Sequence, residues 1–379
     1  MRVLYIVKHN PYGIGGGCRA SFLYLMAFRE IFSNAKFDIL TCEEYVKDFP
    51  LEIIHQINVI GVSKRNIFSK MISPLTGILH RYQAKVLCMI GKQKYDICIF
   101  DHNAIAGSLV KDIKKKGIKS LVINHNLEAD YFRDNTTSLI KRLLILPQVI
   151  RNEKKSYLLC DYNLFLTSED RNDFYARYGL SNTKSLVRYV YEYKDNRKFI
   201  SNTVSTNSIC ITGSLNNIQN VDGINDFVDQ IYPLLPPCCN IVIAGKNPSV
   251  RIISKLKQYS NINLIANPVD IDKVVNSCCI YMCPTKLGSG IKVRLTDAFR
   301  NGLPVIAHVV SARGYSQFEE AGYLISYYDM ESFAKAYSQM QIWIKKNPNY
   351  KSIIKAYYLK ECSFEKSVSE ISSFLKELI

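Results

Sequence analysis

Apolar residues in this chain come in short runs, separated by glycine- and asparagine-rich turns and alternating with stretches of helical period. RVLYIV (2–7) reads as a first strand, NPYGIGGGCRA as a glycine loop, and Cys18 to Phe32 as a helix. Further strands are predicted at 37–41, 57–62, 97–101 and 120–124. A helix falls near 76–93, and another carries Lys111 to Lys116. Leu139 to Tyr157 is a basic amphipathic helical stretch, expected to break at Pro147. Leu186 to Asn207 has no apolar period and reads as a linker. Beyond it the alternation resumes, with strands at Ile209–Thr212, Ile241–Ala244, Asn263–Ala266, Cys278–Cys283 and Val305–Ala307, and helices at 331–346 and 363–378. Strand–turn–helix alternation on both sides of a polar linker predicts an α/β protein of two doubly wound, Rossmann-like domains, 1–190 and 205–360.

The stretch Pro284 to Ala307, PTKLGSGIKVRLTDAFRNGLPVIA, organises the second half. It leaves a buried strand through a turn with Gly288 and Gly290. A helical pattern then begins near Ile291, with Leu295, Ala298 and Phe299 on the same face, until Gly302 and Pro304 stop it. Such a turn lets backbone N–H groups approach a ligand. Lys292 and Arg294 fall in the predicted first turn, where the helix dipole disfavours cations. A bound polyanion would account for them; a plain strand-to-helix connector is the alternative. In the first half, His125, Asn126 and Glu128 follow a strand's C-terminal end, where open α/β sheets bind ligands. His102, after the preceding strand, is a weaker candidate.

Charge adds a second theme. The net charge is +16, with residues 1–200 holding 31 Lys and Arg against 19 Asp and Glu, and the rest 18 against 14. No acid stands between Glu52 and Asp96, while Lys64, Arg65, Lys70, Arg81, Lys85, Lys92 and Lys94 alternate with apolar residues there. Two readings stay open: a solvated basic face, or a surface that meets anionic lipid. No nucleic-acid module is visible, so nucleic acid is not expected as a partner. The twelve cysteines form no zinc-spaced pairs and read as reduced, buried thiols. With no apolar run of membrane-span length and an N-terminus too short in its apolar part for a signal peptide, a cytoplasmic protein is expected, either free or peripheral on the inner face of the cytoplasmic membrane.

GSGIKVRLTDAFRNGLPVIA resembles the donor-site motif of the retaining GT-B glycosyltransferases of group 1 (family four), G-x-G-I-K-x-K-x-x-E-A followed by G-x-P-V-V/I-A. Gly288, Gly290, Ile291, Lys292, Arg294, Asp297, Ala298, Gly302, Pro304, Val305 and Ala307 fall on it. Many members carry two glutamates here; this chain has Ser289 and Asp297 instead. H-N-x-E at His125–Glu128, and the passage with Glu153, Asp161, Ser168 and Asp170, also resemble family patterns. Many members have a phosphate-binding cation near the loop that begins at Gly213; this chain has none between Lys198 and Lys246.

The resemblance implies a GT-B fold, two domains facing a central cleft, with the last helix (363–379) returning to the N-terminal domain. It implies transfer of a sugar from a nucleotide-diphosphate sugar to a glycan or lipid-linked acceptor with retained configuration, in cell-surface polysaccharide or glycoconjugate synthesis, with no metal or cofactor. Catalytic roles would fall to His125, Glu128, Lys292 and Arg294. Donor contacts would fall to Gly16, Gly17, Gly213, Asn267, Val269, Ser289, Gly290, Ile291 and Asp297. The rival readings are a GT-B-like sugar-nucleotide 2-epimerase and a non-enzymatic basic protein that binds membrane or nucleic acid.

Overall fold

In a computed structural model, which describes residues 1–13, 15–191, 207–288 and 290–378, the chain divides into two units. Unit 1 comprises Met1–Tyr193 and Phe364–Ile379; unit 2 comprises Lys194–Ser363.

Unit 1 is built on seven strands: β1 (Arg2–Val7), β2 (Lys36–Cys42), β3 (Asn58–Val62), β4 (Ile97–Asp101), β5 (Lys119–Asn124), β6 (Tyr162–Phe165) and β7 (Lys184–Val187). Their order is β3-β2-β1-β4-β5-β6-β7, and every pairing is parallel. The central strands are buried along their length, which is why they read as unbroken apolar runs. The order reverses between β1 and β4, so their C-terminal ends form the switch point where such sheets bind ligands.

Three expectations need correction here. The polar stretch from Leu186 does not leave the domain at once: Lys184–Val187 is the edge strand, and Tyr189, Val190 and Tyr191 are buried. The remainder of the expected linker, 192–206, lies outside the described residues. Nor does Pro147 break its helix, which runs unbroken from Leu139 to Leu159. Ser138 caps its start, and Gln148 and Asn152 tie its middle to the carbonyls of Pro74 and Gly77. This outside support offsets the hydrogen bond that proline forfeits. Finally, of the expected helix at 76–93 only Gln83–Lys92 forms one in a single piece.

Unit 2 carries six strands: β8 (Ser208–Ser214), β9 (Asn240–Lys246), β10 (Ile262–Ala266), β11 (Ile280–Cys283), β12 (Val305–His308) and β13 (Leu324–Tyr327). Their order, β10-β9-β8-β11-β12-β13, is again all parallel and reverses between β8 and β11. Cys278, Cys279 and Cys283 are buried, as their apolar surroundings predict. Among the described residues all twelve cysteines are free thiols, and no helix is long and apolar enough to cross a membrane.

The helix Phe364–Phe374 belongs to unit 1. Tyr162 meets the Phe374 ring edge-on, Arg188 pairs with Glu370 and Lys184 pairs with Glu377.

Candidate active site

At the switch point of unit 1, three strand-end segments converge. Lys8 and His9 follow β1, Asp101 ends β4 and His102 caps the helix Asn103–Lys115, while His125 follows β5 and Glu128 opens the helix Glu128–Asn135. The His125 Nε2 lies 2.8 Å from Asp101 Oδ1. Asp101 is fully buried, so its carboxylate holds the Nε2–H form and leaves Nδ1 as the imidazole's other face. His102 Nδ1 accepts from the Ala104 N–H, and its Nε2 lies 3.0 Å from Glu128 Oε1 and 3.1 Å from Lys8 Nζ. Lys8 Nζ reaches Glu128 Oε2 at 3.3 Å.

Burial sets the protonation states. It pushes the His102 imidazole down to about 4 against the pull of Glu128, and the His9 imidazole down to about 3 with the help of neighbouring cationic and imidazole groups. Burial alone would raise the Glu128 carboxyl, but His102 and Lys8 outweigh it and its pKa is lowered. The site therefore sets the Glu128 carboxylate beside the neutral imidazoles of His9 and His102. Behind it Glu153 accepts from the Ala129 N–H at the start of the Glu128 helix, and burial raises its carboxyl to about 7.

Gly16 and Gly17 are the first residues of the helix Gly16–Ile31. A Cβ on Gly17 would lie 3.4 Å from the His9 ring, so this glycine start packs onto the same cluster. Lys8, His9 and Asp101 were not picked out from the sequence. The signal was there for His9, which follows β1 just as His125 follows β5.

In unit 2 the sequence-predicted residues divide. Arg294 runs back to the strand ends of β8 and β11: its Nε donates to Cys283 Sγ at 3.2 Å, one Nη to Asn220 Oδ1 and the other to Thr285 Oγ1. These partners carry no carboxylate, and the guanidinium pairs with none among the described residues. Burial raises the Cys283 thiol but Arg294 outweighs it, so its pKa is lowered. Gly213 ends β8 beside this group; a Cβ there would sit 3.1 Å from Arg294 Nη1 and 2.8 Å from Asn220 Nδ2. Asn217 caps the helix Ile218–Asp226, which delivers Asn220 to the guanidinium. The glycine turn presses on the same helix: a Cβ on Gly288 would meet Gln219 Nε2 at 2.5 Å.

The expected helix start near Ile291 is wrong. Ile291 and Lys292 precede the helix Arg294–Arg300, which is too short to serve as an anion site by its dipole. The segment is extended by two positive-φ glycines, Gly288 and Gly290, and Tyr315 clamps it by donating to the Lys292 carbonyl. Lys292 is partly buried; Ser289 lies outside the described residues. Asp297 pairs with Arg300 at 3.1 Å, one turn along its own helix.

Asn267, at the end of β10, has a left-handed backbone (φ 52°). Its N–H is already committed to the Gly245 carbonyl and its side-chain oxygen accepts from the Asn247 N–H. Val269 is fully exposed. Asn267, Gly245, Gly213 and Arg294 thus mark a line across the C-terminal ends of β10, β9, β8 and β11. A Cβ on Gly245 would fall 1.7 Å from the Gly213 carbonyl oxygen, so only glycine allows that line to close. Among the described residues no group of three or more His, Cys, Asp and Glu side chains is placed to hold a metal ion.

Two doubly wound sheets with ligand-type strand ends define the GT-B glycosyltransferase fold. Sucrose-phosphate synthase from Thermosynechococcus elongatus superposes with a TM-score of 0.71 at 13% identity, covering 100% of this chain and 98% of that one. Anabaena HepE in complex with UDP gives 0.68 at 14% identity, covering both chains fully. WaaG, a glycosyltransferase involved in lipopolysaccharide biosynthesis, gives 0.64 at 13% identity over 98% of each chain. Residues 206–341 match the family model of the Glycosyl transferases group 1, the group that the glycine turn resembles. A Klebsiella pneumoniae protein, "Uncharacterized 44.6 kDa protein in cps region", is 21% identical over 341 residues, covering 83% of this chain and 84% of its own.

Proposed function

We propose that this protein is a retaining glycosyltransferase that moves a sugar from a nucleotide-diphosphate sugar to a glycan or lipid-linked acceptor. The observation that carries the proposal is Arg294: a guanidinium at the switch point of unit 2 whose side-chain partners are an amide, a hydroxyl and a thiol. A cation held this way, with no carboxylate beside it, is preorganised for an incoming anion. Across the strand ends from Asn267 to Arg294 there are three strand spacings, roughly 14 Å, about the length of an extended nucleoside diphosphate.

In this reading the nucleobase meets the Asn267 carbonyl, the ribose meets Asp297 once that carboxylate turns from Arg300, and the diphosphate meets Arg294, Lys292 and the amides of Gly290 and Ile291. As the sugar–phosphate C–O bond breaks, negative charge builds on the leaving diphosphate, and these donors stabilise it. The acceptor hydroxyl attacks the same face of the sugar, forming the new C–O bond, and its proton passes to the departing phosphate oxygen. That route keeps the anomeric configuration without a protein nucleophile. His125, oriented by Asp101, and Glu128, held ionised by Lys8 and His102, supply the polar contacts to sugar and acceptor.

The test is a thermal-shift panel of UDP-, GDP-, ADP- and CMP-sugars. HepE was crystallised with UDP and with UDP-glucose, so the uridine compounds come first. A ligand at a hundred times its Kd adds about 2.7 kcal/mol to the folded state. The expected result is a rise for one nucleotide series, followed by transfer to an acceptor. If no sugar nucleotide stabilises the protein, the proposal fails.

A further inference from the structure

On unit 1, away from the strand-end cluster in sequence, eight large apolar side chains stand in solvent. Ile67, Phe68, Met71 and Leu75 are 76, 70, 73 and 87% exposed. Leu139, Ile140, Leu143 and Leu144 are 72, 70, 76 and 51% exposed. Single exposed leucines need no explanation, but a cluster of this size does.

The two groups belong to one surface. The first lies on the short helices Ile67–Met71 and Ser73–Thr76, the second on the opening turns of the helix Leu139–Leu159. Gln148 Nε2 donates to the Pro74 carbonyl at 2.7 Å, and Asn152 Nδ2 donates to the Gly77 carbonyl at 2.7 Å. Ile140, Leu144 and Gln148 stand four residues apart, on one row of that helix. The row that touches Pro74 at Gln148 is therefore the row that carries Ile140 and Leu144, within about 12 Å along the axis.

Charge says what covers this surface. Residues 53–95 contain no acid, and neither do residues 135–152. Lys64, Lys70 and Lys141, in or next to these segments in sequence, are exposed. A solubilising face would not present eight large apolar groups, and a second copy of this chain would bring a like-charged rim against this one. Anionic lipid satisfies both halves: acyl boundary for the apolar side chains, phosphate headgroups for the lysines. Lys64 Nζ also stands 4.0 Å from Glu44 Oε1, and two further cations are not free for this role. Arg65 donates to the carbonyls of Ile78 and Ser69, and Arg142 donates to those of Thr136 and Arg133, so both brace the segments that present the patch.

We infer that unit 1 docks on an anionic membrane through the paired segments 67–76 and 139–144. The docking stands apart from the transferase reading. It brings the protein to a surface on which a lipid-linked acceptor would reside.

Flotation of the full chain with vesicles tests it, using phosphatidylcholine alone and phosphatidylcholine mixed with phosphatidylglycerol. The protein should float with the anionic vesicles at low salt, stay behind with the zwitterionic ones, and detach as salt rises. The triple variant Lys64→Gln, Lys70→Gln, Lys141→Gln should lower the partition coefficient on the order of a hundredfold. The double variant Phe68→Ser, Leu143→Ser should lower it roughly tenfold or more. All five side chains are exposed, so melting temperature and nucleotide-induced thermal shift should stay as in the parent; a failed docking is then distinct from a failed transferase reading. Absence of flotation, or variants that float like the parent, would overturn the inference. So would sedimentation showing a dimer that the Phe68→Ser, Leu143→Ser variant dissociates, which would give the surface to a second copy.

Discussion

Lowering the pH from 7 to 5 should weaken unit 1 by about 3 kcal/mol and unit 2 by less, since His308 is the one histidine there and burial pulls its imidazole down too. The sign comes from imidazoles buried in their neutral form. Burial holds His80 and His102 down to about 4 and His9 down to about 3. An unfolded chain takes up these protons near pH 6.5, so stability is full above that value and is lost as the pH falls toward the folded pKa. Each pH unit of mismatch is about 1.4 kcal/mol, so each imidazole loses close to 2 kcal/mol by pH 5, and the three together about 5, His9 counting for less because it is the least buried. Glu153 works the other way. Burial raises its carboxyl to about 7, so its stabilising contribution is present below its unfolded value and is lost as the pH rises through 7. Acidification to pH 5 restores about 2 kcal/mol from this group, leaving the net of about 3. The chain carries its own control. Its single tryptophan, Trp343, lies in the helix Met330–Lys346 of unit 2. In urea titrations at pH 5, tryptophan fluorescence should report a smaller shift, set by His308, while far-UV circular dichroism shows a larger and earlier one from unit 1. Glu153→Gln should deepen the loss toward 5 kcal/mol by removing the offset. A unit 1 transition that holds or strengthens at pH 5 would refute the protonation pattern assigned to this core.

Arg294→Lys keeps the charge but loses the fork to Asn220 and Thr285, and Lys292→Ala removes a neighbouring cation. Each should lower turnover on the order of a hundredfold with the fold retained, and near-normal turnover in both would end the assignment of these side chains to the leaving diphosphate. Asp101→Asn takes the charged acceptor from His125 Nε2; turnover should fall by roughly tenfold to a hundredfold with little change in melting temperature, and an unchanged kcat would remove His125 from the chemistry.

The parallel strands were legible because burial on both faces writes them as continuous apolar runs, β1, β4 and β5 most plainly. The edge strand β7 was not, since KSLV is only partly buried and reads as loop. Pro147 misled because the support for its helix comes from Pro74 and Gly77, more than seventy residues away in sequence. The site was legible where it follows strand ends, as at His125 and Glu128. The partners that set its chemistry lie at long range: Asp101 fixes His125, Lys8 fixes Glu128, and Asn220 fixes Arg294. Spacing in one segment carries no trace of these pairs. The helix start near Ile291 was misplaced for a local reason, because two glycines of positive φ keep the backbone open longer than the apolar period suggests.

The return of the last helix to unit 1 imposes an order on the ribosome. Unit 2 is one uninterrupted stretch, whereas unit 1 is missing its final helix until everything from Lys194 to Ser363 has been made. At the usual pace of synthesis that delay is roughly 10–30 s, far longer than a small domain needs to fold. Throughout it, the faces of Tyr162 and Arg188 that later receive Phe374 and Glu370 have nothing to close them. A chain made only as far as residue 363 thus has an open first unit.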